Sequence, residues 1–167
     1  LYIGKELAAK GSSYRQWVEV INNYKNSFPT EIQYWQDILV EQSKQNQGWL
    51  SKNIENTVNY INLSLDSNKT RQLLQDSNRA YNTQVNDLLL TALAYAIAKV
   101  SGNNQNYIVL EGHGREEIDE SVDLSRTVGW FTTMYPVRLE IIAELGESIK
   151  LVKENLRHIP NKGLGYG

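Results

Sequence analysis

A long apolar helix, followed within a few residues by a short apolar strand, constrains the fold of this chain more than any other feature. The helix is predicted from Thr83 to Val100, where Ser101-Gly102 ends it, and it is apolar on nearly every side. The strand, Tyr107 to Leu110, is rich in β-branched and aromatic residues, which favours a buried strand. A helix without a polar face should lie at the centre of its lobe.

Helices and strands are predicted along the rest of the chain as well. Two helices occupy residues 12–45, the first capped by Ser12 or Ser13, and a polar connector follows at Gln42–Asn56. After the connector we predict a strand at Thr57–Leu65, a helix at Asn68–Arg79 capped by Ser67, the long helix and its strand, a strand at Thr127–Leu139 interrupted near Pro136, and a helix at Glu144–Arg157.

This order of elements predicts an α+β fold with helices on one face of a sheet. We expect residues 1–50 to form the helical end of an N-terminal lobe with its connector. Residues 51–167 should form a C-terminal lobe that is incomplete at its end. The side chains predicted to face the core are Leu73 and Leu74 in the helix after the connector, and Leu145, Ile149, Val152 and Leu156 in the last helix.

Composition limits the classes of function that this chain can have. With 167 residues, 41% of them hydrophobic, the chain can bury one substantial core. The net charge of −2 gives no basic field, so we expect neither nucleic acid nor an anionic membrane as a partner. The absence of Cys excludes a disulfide framework and suits a cytosolic protein. The uncharged stretch Leu88–Ala98 is shorter than the ~20 residues that span a bilayer.

Charged side chains cluster at the end of the Tyr107–Leu110 strand, in the run Glu-Gly-His-Gly-Arg-Glu at Glu111–Glu116. Because side chains alternate along a strand, Val109, Glu111 and His113 should share one face. Burial raises the pKa of a carboxyl at such a position and a nearby cation lowers it, which tunes the group for proton transfer. The cluster is therefore a candidate acid–base site.

Two other interpretations of this cluster remain open. A Glu and a His two residues apart at a strand end also occur on a solvated rim that has no chemical role. A metal site is the second interpretation, although the cluster lacks the second His or the Cys of a tight transition-metal site. The residues that would form it are Glu111, His113, Glu116, Glu117, Asp119 and Asp123.

Four runs of the sequence carry a further signal: Asn86–Ala92, Glu111–Glu116, Ser125–Pro136 and Pro160–Gly167. The second and third, Glu-Gly-His-Gly-Arg-Glu and Ser-Arg-Thr-Val-Gly-Trp-Phe-Thr-Thr-Met-Tyr-Pro, resemble the signature pair of epimerization domains in nonribosomal peptide synthetases. The first and last resemble that family's Asp-x-Leu-Leu-x-Ala and Pro-x-x-Gly-x-Gly-Tyr-Gly elements, in the same order. Ordinary condensation domains share the fold and usually lack Glu-Gly-His-Gly-Arg-Glu, so the resemblance favours the epimerizing branch.

The resemblance implies a two-layer α/β sandwich lobe of the chloramphenicol-acetyltransferase-like fold, in which two lobes enclose a substrate tunnel. The family's upstream His-His-x-x-x-Asp-Gly motif is missing, since the two His residues, His113 and His158, stand in other contexts. The family's final Phe-Asn-Tyr-Leu-Gly element is missing as well. We therefore expect the C-terminal half of a domain, inactive without the N-terminal lobe of the same domain.

The reaction implied by the resemblance is inversion, from L to D, at the α-carbon of an aminoacyl or peptidyl thioester. The substrate would arrive on the 4'-phosphopantetheine arm of a peptidyl carrier protein, with no metal and no directly bound cofactor. Glu111 matches the family's acidic catalytic residue. By the same resemblance the substrate-positioning residues are His113, Arg115, Gly129, Trp130 and Tyr135, although packing explains Trp130 and Tyr135 equally well.

Two alternatives to an epimerase half remain open. In a condensation domain that forms peptide bonds, Glu111 would orient the substrate or be a spectator. In a non-catalytic lobe that docks a carrier protein, Glu111 would have no chemical role.

Overall fold

The chain has an α+β fold, as its sequence predicts. The computed structural model describes residues 9–45 and 60–167. Within them β1 and β2 pair in a two-stranded sheet. The elements in chain order are α1 (Tyr14–Ser27), α2 (Glu31–Ser43), α3 (Ser67–Arg71), a π-helical turn (Gln72–Asp76), α4 (Ser77–Tyr81), α5 (Val85–Ser101), β1 (Gln105–Gly112), β2 (Thr133–Glu140), α6 (Leu145–Arg157) and a short turn at Pro160–Gly163.

The chain divides into two units. The first comprises the chain up to Trp35 together with Leu110–Tyr135 and Pro160–Gly167. The second comprises Gln36–Val109 and Pro136–Ile159. The domain boundary predicted between residues 50 and 51 lies outside the described residues.

The core of the first unit forms around Trp17 of α1. Ser13 begins this helix with a capping box, in which the Ser13 side chain accepts the Gln16 amide and the Gln16 side chain accepts the Ser13 amide. Trp17 packs with the buried side chains of Leu124 and Phe131. Burying side chains of this size contributes about 1.5–3 kcal/mol each. Around them lie the partly buried residues Val20, Ile21, Ile118, Val122 and Leu164.

The long apolar helix of the second unit is present as α5, but it is not buried on every side. It begins where Asp87 accepts the Gln84 amide at 2.8 Å, and it ends at Gly102, whose φ of +75° suits glycine. Its buried residues are Asp87, Thr91 and Ala94, whereas Leu89, Leu93 and Val100 are exposed. Within the described residues α5 therefore packs along one face, and its predicted central position is wrong.

A buried hydroxyl joins α6 to α5. The Ser148 Oγ lies 3.0 Å from the Tyr95 hydroxyl and accepts the Ile142 amide at 2.9 Å. Of the four α6 residues predicted to face the core, Ile149 and Val152 are buried, Leu156 is half-buried and Leu145 is exposed. Leu145 is exposed because it is the first residue of the helix, ahead of the turn that packs.

The strand predicted at Thr57–Leu65 is wrong over residues 60–65, which have no regular structure. Residues 57–59 lie outside the described part of the chain. A β-branched sequence forms a strand only where a neighbouring strand completes the ladder of hydrogen bonds. Among the described residues no strand pairs with this segment.

The helix predicted at Asn68–Arg79 is longer than expected and begins with a different cap. It runs from Ser67 to Tyr81 as α3, the π-helical turn and α4. The Asp66 carboxylate, and not Ser67, caps it by accepting the Lys69 amide at 2.8 Å. Neither predicted core residue is buried, because Leu73 is half-buried and Leu74 is 54% exposed.

Candidate active site

Glu111 lies on β1, one residue before the strand ends. Val109, Glu111 and His113 are all exposed, so the face that they were predicted to share is confirmed. The prediction of a buried strand is wrong within the described residues, since Val109 is 59% exposed on that face. Across residues 9–45 and 60–167 Glu111 has no hydrogen-bond or ion-pair partner, so both carboxyl oxygens are open to a substrate.

The imidazole of His113 is held by its own loop. Its Nδ1 accepts the Arg115 amide at 3.0 Å, and its Nε2 lies 3.3 Å from Oε1 of Glu116. Because Nδ1 accepts a hydrogen bond, the neutral ring carries its proton on Nε2 and donates it toward Glu116. The observed partners of His113 are thus the Arg115 amide and the Glu116 carboxylate, both in the loop after β1.

The side chain of Arg115 fastens the loop that follows β1. Its Nη1 donates to the Leu124 carbonyl at 2.6 Å and its Nη2 donates to the Thr127 carbonyl at 2.8 Å. Its guanidinium carbon lies 3.9 Å from the centre of the Phe131 ring. Arg115 therefore orders the backbone of the acidic loop over the aromatic core.

The strand predicted from Thr127 begins only at Thr133 and runs through Pro136 without interruption. In the residues before this strand, backbone carbonyls accept hydrogen bonds from side chains. The Thr127 carbonyl accepts from Arg115, and the Trp130 carbonyl accepts the Tyr14 hydroxyl at 3.0 Å. These carbonyls are thus satisfied by side chains outside a strand ladder.

Gly129 and Trp130 lie in this irregular segment. A Cβ on Gly129 would stand 2.5 Å from the Tyr14 ring and 3.0 Å from the Phe131 ring, so the Tyr14 ring fills the space beside this glycine. Trp130 is 80% exposed. Its indole is available to a ligand while its backbone is held by Tyr14.

Tyr135 is buried, in contrast to Trp130. Its ring centre lies 6.3 Å from that of Trp35, and Gly163 lies directly against the ring. Burial, and to a smaller extent the charge of Glu116, raise the pKa of the Tyr135 hydroxyl. Tyr135 therefore stays a neutral phenol within the core of the first unit.

Two glycines beside Glu111 allow neighbouring groups to approach the backbone closely. Gly114 has a φ of +66°, and a Cβ there would lie 1.5 Å from the Phe131 carbonyl oxygen. A Cβ on Gly112 would lie 2.8 Å from the Thr133 hydroxyl and 3.3 Å from the Lys162 carbonyl oxygen. Packing around the end of β1 thus requires glycine at both Gly112 and Gly114.

A buried carboxylate, Glu31, escaped the sequence analysis. Glu31 is 6% exposed and accepts the Tyr24 hydroxyl at 2.5 Å and the Trp35 indole N–H at 2.9 Å. The Asn161 side-chain amide donates to the Tyr24 oxygen at 2.7 Å. Burial and the bond to Glu31 raise the pKa of Tyr24. The available signal was a Glu one helical turn before Trp35.

Neither metal coordination nor membrane insertion is indicated by the described residues. Among residues 9–45 and 60–167 no three His, Cys, Asp or Glu side chains come together in an arrangement that could hold a metal ion. In the same ranges no helix is both long enough and apolar enough to cross a bilayer.

The chain is similar to parts of large synthetases. Bacitracin synthase 2 of Bacillus licheniformis is 46% identical over 173 residues, which cover 97% of this chain and 6% of that protein. The crystal structure of the epimerization domain from the third module of tyrocidine synthetase B matches with a TM-score of 0.72 and 32% identity, over 96% of this chain and 37% of that one. This chain thus spans a small part of the curated relative and about a third of the solved domain.

A more distant structure shows the same fold. The first condensation domain of the calcium-dependent antibiotic synthetase, solved with a substrate analogue, matches with a TM-score of 0.68 at 13% identity, over 95% of this chain and 35% of that one. The family model described as "Condensation domain" matches residues 1–167. These matches confirm the predicted condensation-domain fold, and they show that the chain belongs to the condensation domain family.

Proposed function

We propose that this chain carries the acidic catalytic residue of an epimerization domain in a nonribosomal peptide synthetase. The observation that carries the proposal is the placement of Glu111, the first residue of the Glu-Gly-His-Gly-Arg-Glu run, exposed and without a partner among the described residues. The similarity at 32% identity to a solved epimerization domain supports it. The substrate is an aminoacyl or peptidyl thioester on the phosphopantetheine arm of a peptidyl carrier protein.

The proposed chemistry is proton exchange at the α-carbon of that thioester. The thioester carbonyl acidifies the α C–H bond, and Glu111 takes the proton from one face as the electron pair moves into the enolate. Delivery of a proton to the opposite face by a second acid completes the inversion from L to D. That second acid matches no motif of this chain, whose two His residues lie outside the His-His-x-x-x-Asp-Gly context. The N-terminal lobe of the same domain is the expected source.

The other residues of the site have supporting roles. His113 and Arg115 order the loop after Glu111, because their observed bonds go to Glu116 and to the carbonyls of Leu124 and Thr127. Trp130 offers an exposed ring at which the acyl group or the carrier arm could lie. Gly129 and Tyr135 act through packing, the first against Tyr14.

The test is α-proton exchange in deuterated buffer on a carrier-bound aminoacyl thioester. The protein used is a complete domain, as long as the matched epimerization domain. Three forms of it are compared: the wild type, Glu111→Gln and Glu117→Gln. Glu117 is an exposed carboxylate of the same loop and serves as the matched control. We expect Glu111→Gln to lower the exchange rate about 10²- to 10⁴-fold and Glu117→Gln to leave it within about twofold. Exchange that survives in Glu111→Gln, or is missing from the wild type, overturns the proposal.

Peptide-bond formation is the second candidate, because the family model that matches all 167 residues is named for condensation. The same carrier-bound substrate, offered with a second loaded carrier, distinguishes the two reactions. A condensation domain would yield the dipeptidyl thioester without deuterium at the donor α-carbon. A lobe that only docks the carrier would yield neither product.

A further inference from the structure

The carboxylate of Glu31 sits where the end of the chain meets the first two helices. It is buried at 6% exposure, and its two oxygens accept from Tyr24 and Trp35. The Tyr24 oxygen in turn accepts the Asn161 amide at 2.7 Å. Gly165 lies against this group so closely that a Cβ there would be 2.6 Å from Oε1 of Glu31. We call Tyr24, Glu31, Trp35 and Asn161 the Glu31 cluster.

The segment that the cluster holds has an unfavourable backbone. Asn161 and Lys162 have φ values of +39° and +51°, and Gly163 follows with +77°. Two successive non-glycine residues in the left-handed region persist only where surrounding contacts impose that conformation. The bond from Asn161 to Tyr24 is such a contact, and the Tyr135 ring beside Gly163 is another. Residues 160–163 are called the left-handed turn below.

The left-handed turn packs against the end of β1. The Lys162 carbonyl accepts the Thr133 hydroxyl at 3.5 Å. The same carbonyl oxygen lies 3.3 Å from the position that a Cβ on Gly112 would occupy. Gly112 directly follows Glu111 in the chain, so the turn borders the backbone that carries the proposed catalytic carboxylate.

We propose that Glu31 is a positioning residue for Glu111. The Glu31 cluster fixes the left-handed turn, and the turn fixes the backbone at Gly112. The catalytic carboxylate has no hydrogen-bond partner of its own within the described residues, so its direction depends on this backbone. The link to catalysis rests on the proposed function, whereas the mechanical link from Glu31 to the strand end does not.

Two variants test the proposal, each with a matched control. Glu31→Gln keeps the side-chain shape and replaces one acceptor oxygen by an N–H₂ donor. Tyr24→Phe removes only the hydroxyl between Glu31 and Asn161. The controls make the same chemical changes at exposed sites, Glu19→Gln on α1 and Tyr60→Phe, which is 84% exposed.

The first measurement is backbone amide hydrogen exchange over residues 107–116, in the complete domain. We expect both test variants to raise exchange at this strand end on the order of tenfold, and both controls to match the wild type. The second measurement is α-proton exchange, assayed where each variant is folded by near-ultraviolet circular dichroism. We expect kcat to fall on the order of tenfold with KM unchanged, because a misplaced catalytic group slows the reaction and Glu31 touches no substrate.

Each outcome decides a different point. Amide exchange and kcat both within twofold of the wild type would refute the proposal. A lower melting temperature with unchanged kcat in the folded protein would also refute it, since Glu31 would then contribute stability alone. If the wild type exchanges no α-proton, the proposed function fails, and the amide measurement alone still decides whether Glu31 holds the strand end.

Discussion

The guanidinium of Arg115 lies 3.9 Å from the centre of the Phe131 ring, and this contact joins the loop after β1 to the core of the first unit. Two hydrogen bonds from the same group hold the Leu124 and Thr127 carbonyls. A charged residue next to a proposed catalytic site thus has a well-defined architectural role. A loss of activity on substitution of Arg115 is therefore expected to reflect a change in loop structure.

Arg115→Lys should lower the free energy of unfolding by about 1–3 kcal/mol, because an ammonium group cannot reproduce the two directed bonds and the planar contact with Phe131. Urea unfolding measures the change. Arg15→Lys is the control, since Arg15 is exposed and, among the described residues, bonds only to Glu19 on the same helix. It should cost no more than about 0.5 kcal/mol. Equal effects of the two substitutions would contradict the role assigned to Arg115.

Gly114→Ala should destabilise the protein by more than about 3 kcal/mol, because the new Cβ would lie 1.5 Å from the Phe131 carbonyl oxygen. Gly102→Ala is the control, because it measures the cost of placing a side chain on a left-handed backbone without the steric clash. Gly102 has a comparable φ of +75°, but no atom of residues 9–45 or 60–167 lies within 4 Å of its Cβ position, so its substitution should cost only about 1 kcal/mol. Thermal unfolding of both variants measures the difference, and similar melting temperatures would rule out the close approach at Gly114.

Ser148→Ala should lower the free energy of unfolding by about 1–3 kcal/mol. The substitution removes the buried Ser148 hydroxyl, and with it the partly buried bonds to the Ile142 amide and the Tyr95 hydroxyl. Ser43→Ala removes an exposed hydroxyl that bonds the Val40 carbonyl and should be nearly neutral. Combining Ser148→Ala with Tyr95→Phe in a double-mutant cycle should show a coupling between the two sites; additive costs would contradict a shared bond.

The acidic loop should make stability depend on pH. The hydroxyl and the backbone amide of Ser125 hold the pKa of the Asp123 carboxyl below its usual value of 3.8. A carboxyl whose folded-state pKa is lowered contributes stability above its unfolded-state pKa and loses it as the pH falls through the folded value. Asp123→Asn should therefore differ from the wild type most at pH 6, and the difference should shrink below about pH 4.

Unfolding at a series of pH values measures this difference between Asp123→Asn and the wild type. Glu120→Gln, at an exposed carboxyl of the same loop, is the matched control for the loss of one negative charge. A difference between Asp123→Asn and the wild type that stays constant with pH would show that the bond to Ser125 does not favour the charged form.

Local sequence signals predicted much of this structure. The strand at Tyr107–Leu110, the shared face of Glu111 and His113, and the start of α1 at Ser13 all follow from neighbours in the chain. The predictions that were wrong concern segments whose structure depends on residues far away in the sequence. The bond from Tyr14 to the Trp130 carbonyl spans 116 positions, and it helps to keep the residues before Thr133 out of the sheet. The strand predicted through residues 60–65 had the right composition but no described neighbour.

The site was predicted only in part for the same reason. Glu111 was identified from its motif, and its exposure without a partner could not be inferred from periodicity. The Glu31 cluster combines residues from α1, α2 and the segment after α6, and no local pattern links Glu31 to Asn161. In the sequence, the cluster is marked only by a Glu one helical turn before Trp35.

The contact between Tyr135 and Gly163 has an evolutionary consequence. The Tyr135 ring occupies the volume in which a side chain at Gly163 would lie, since a Cβ there would be 2.0 Å from the ring. Two sequence motifs separated along the chain are therefore complementary halves of one packing surface. A homologue with a larger residue at position 163 would need a smaller residue than Tyr at position 135. The two positions should therefore covary in an alignment of homologous sequences.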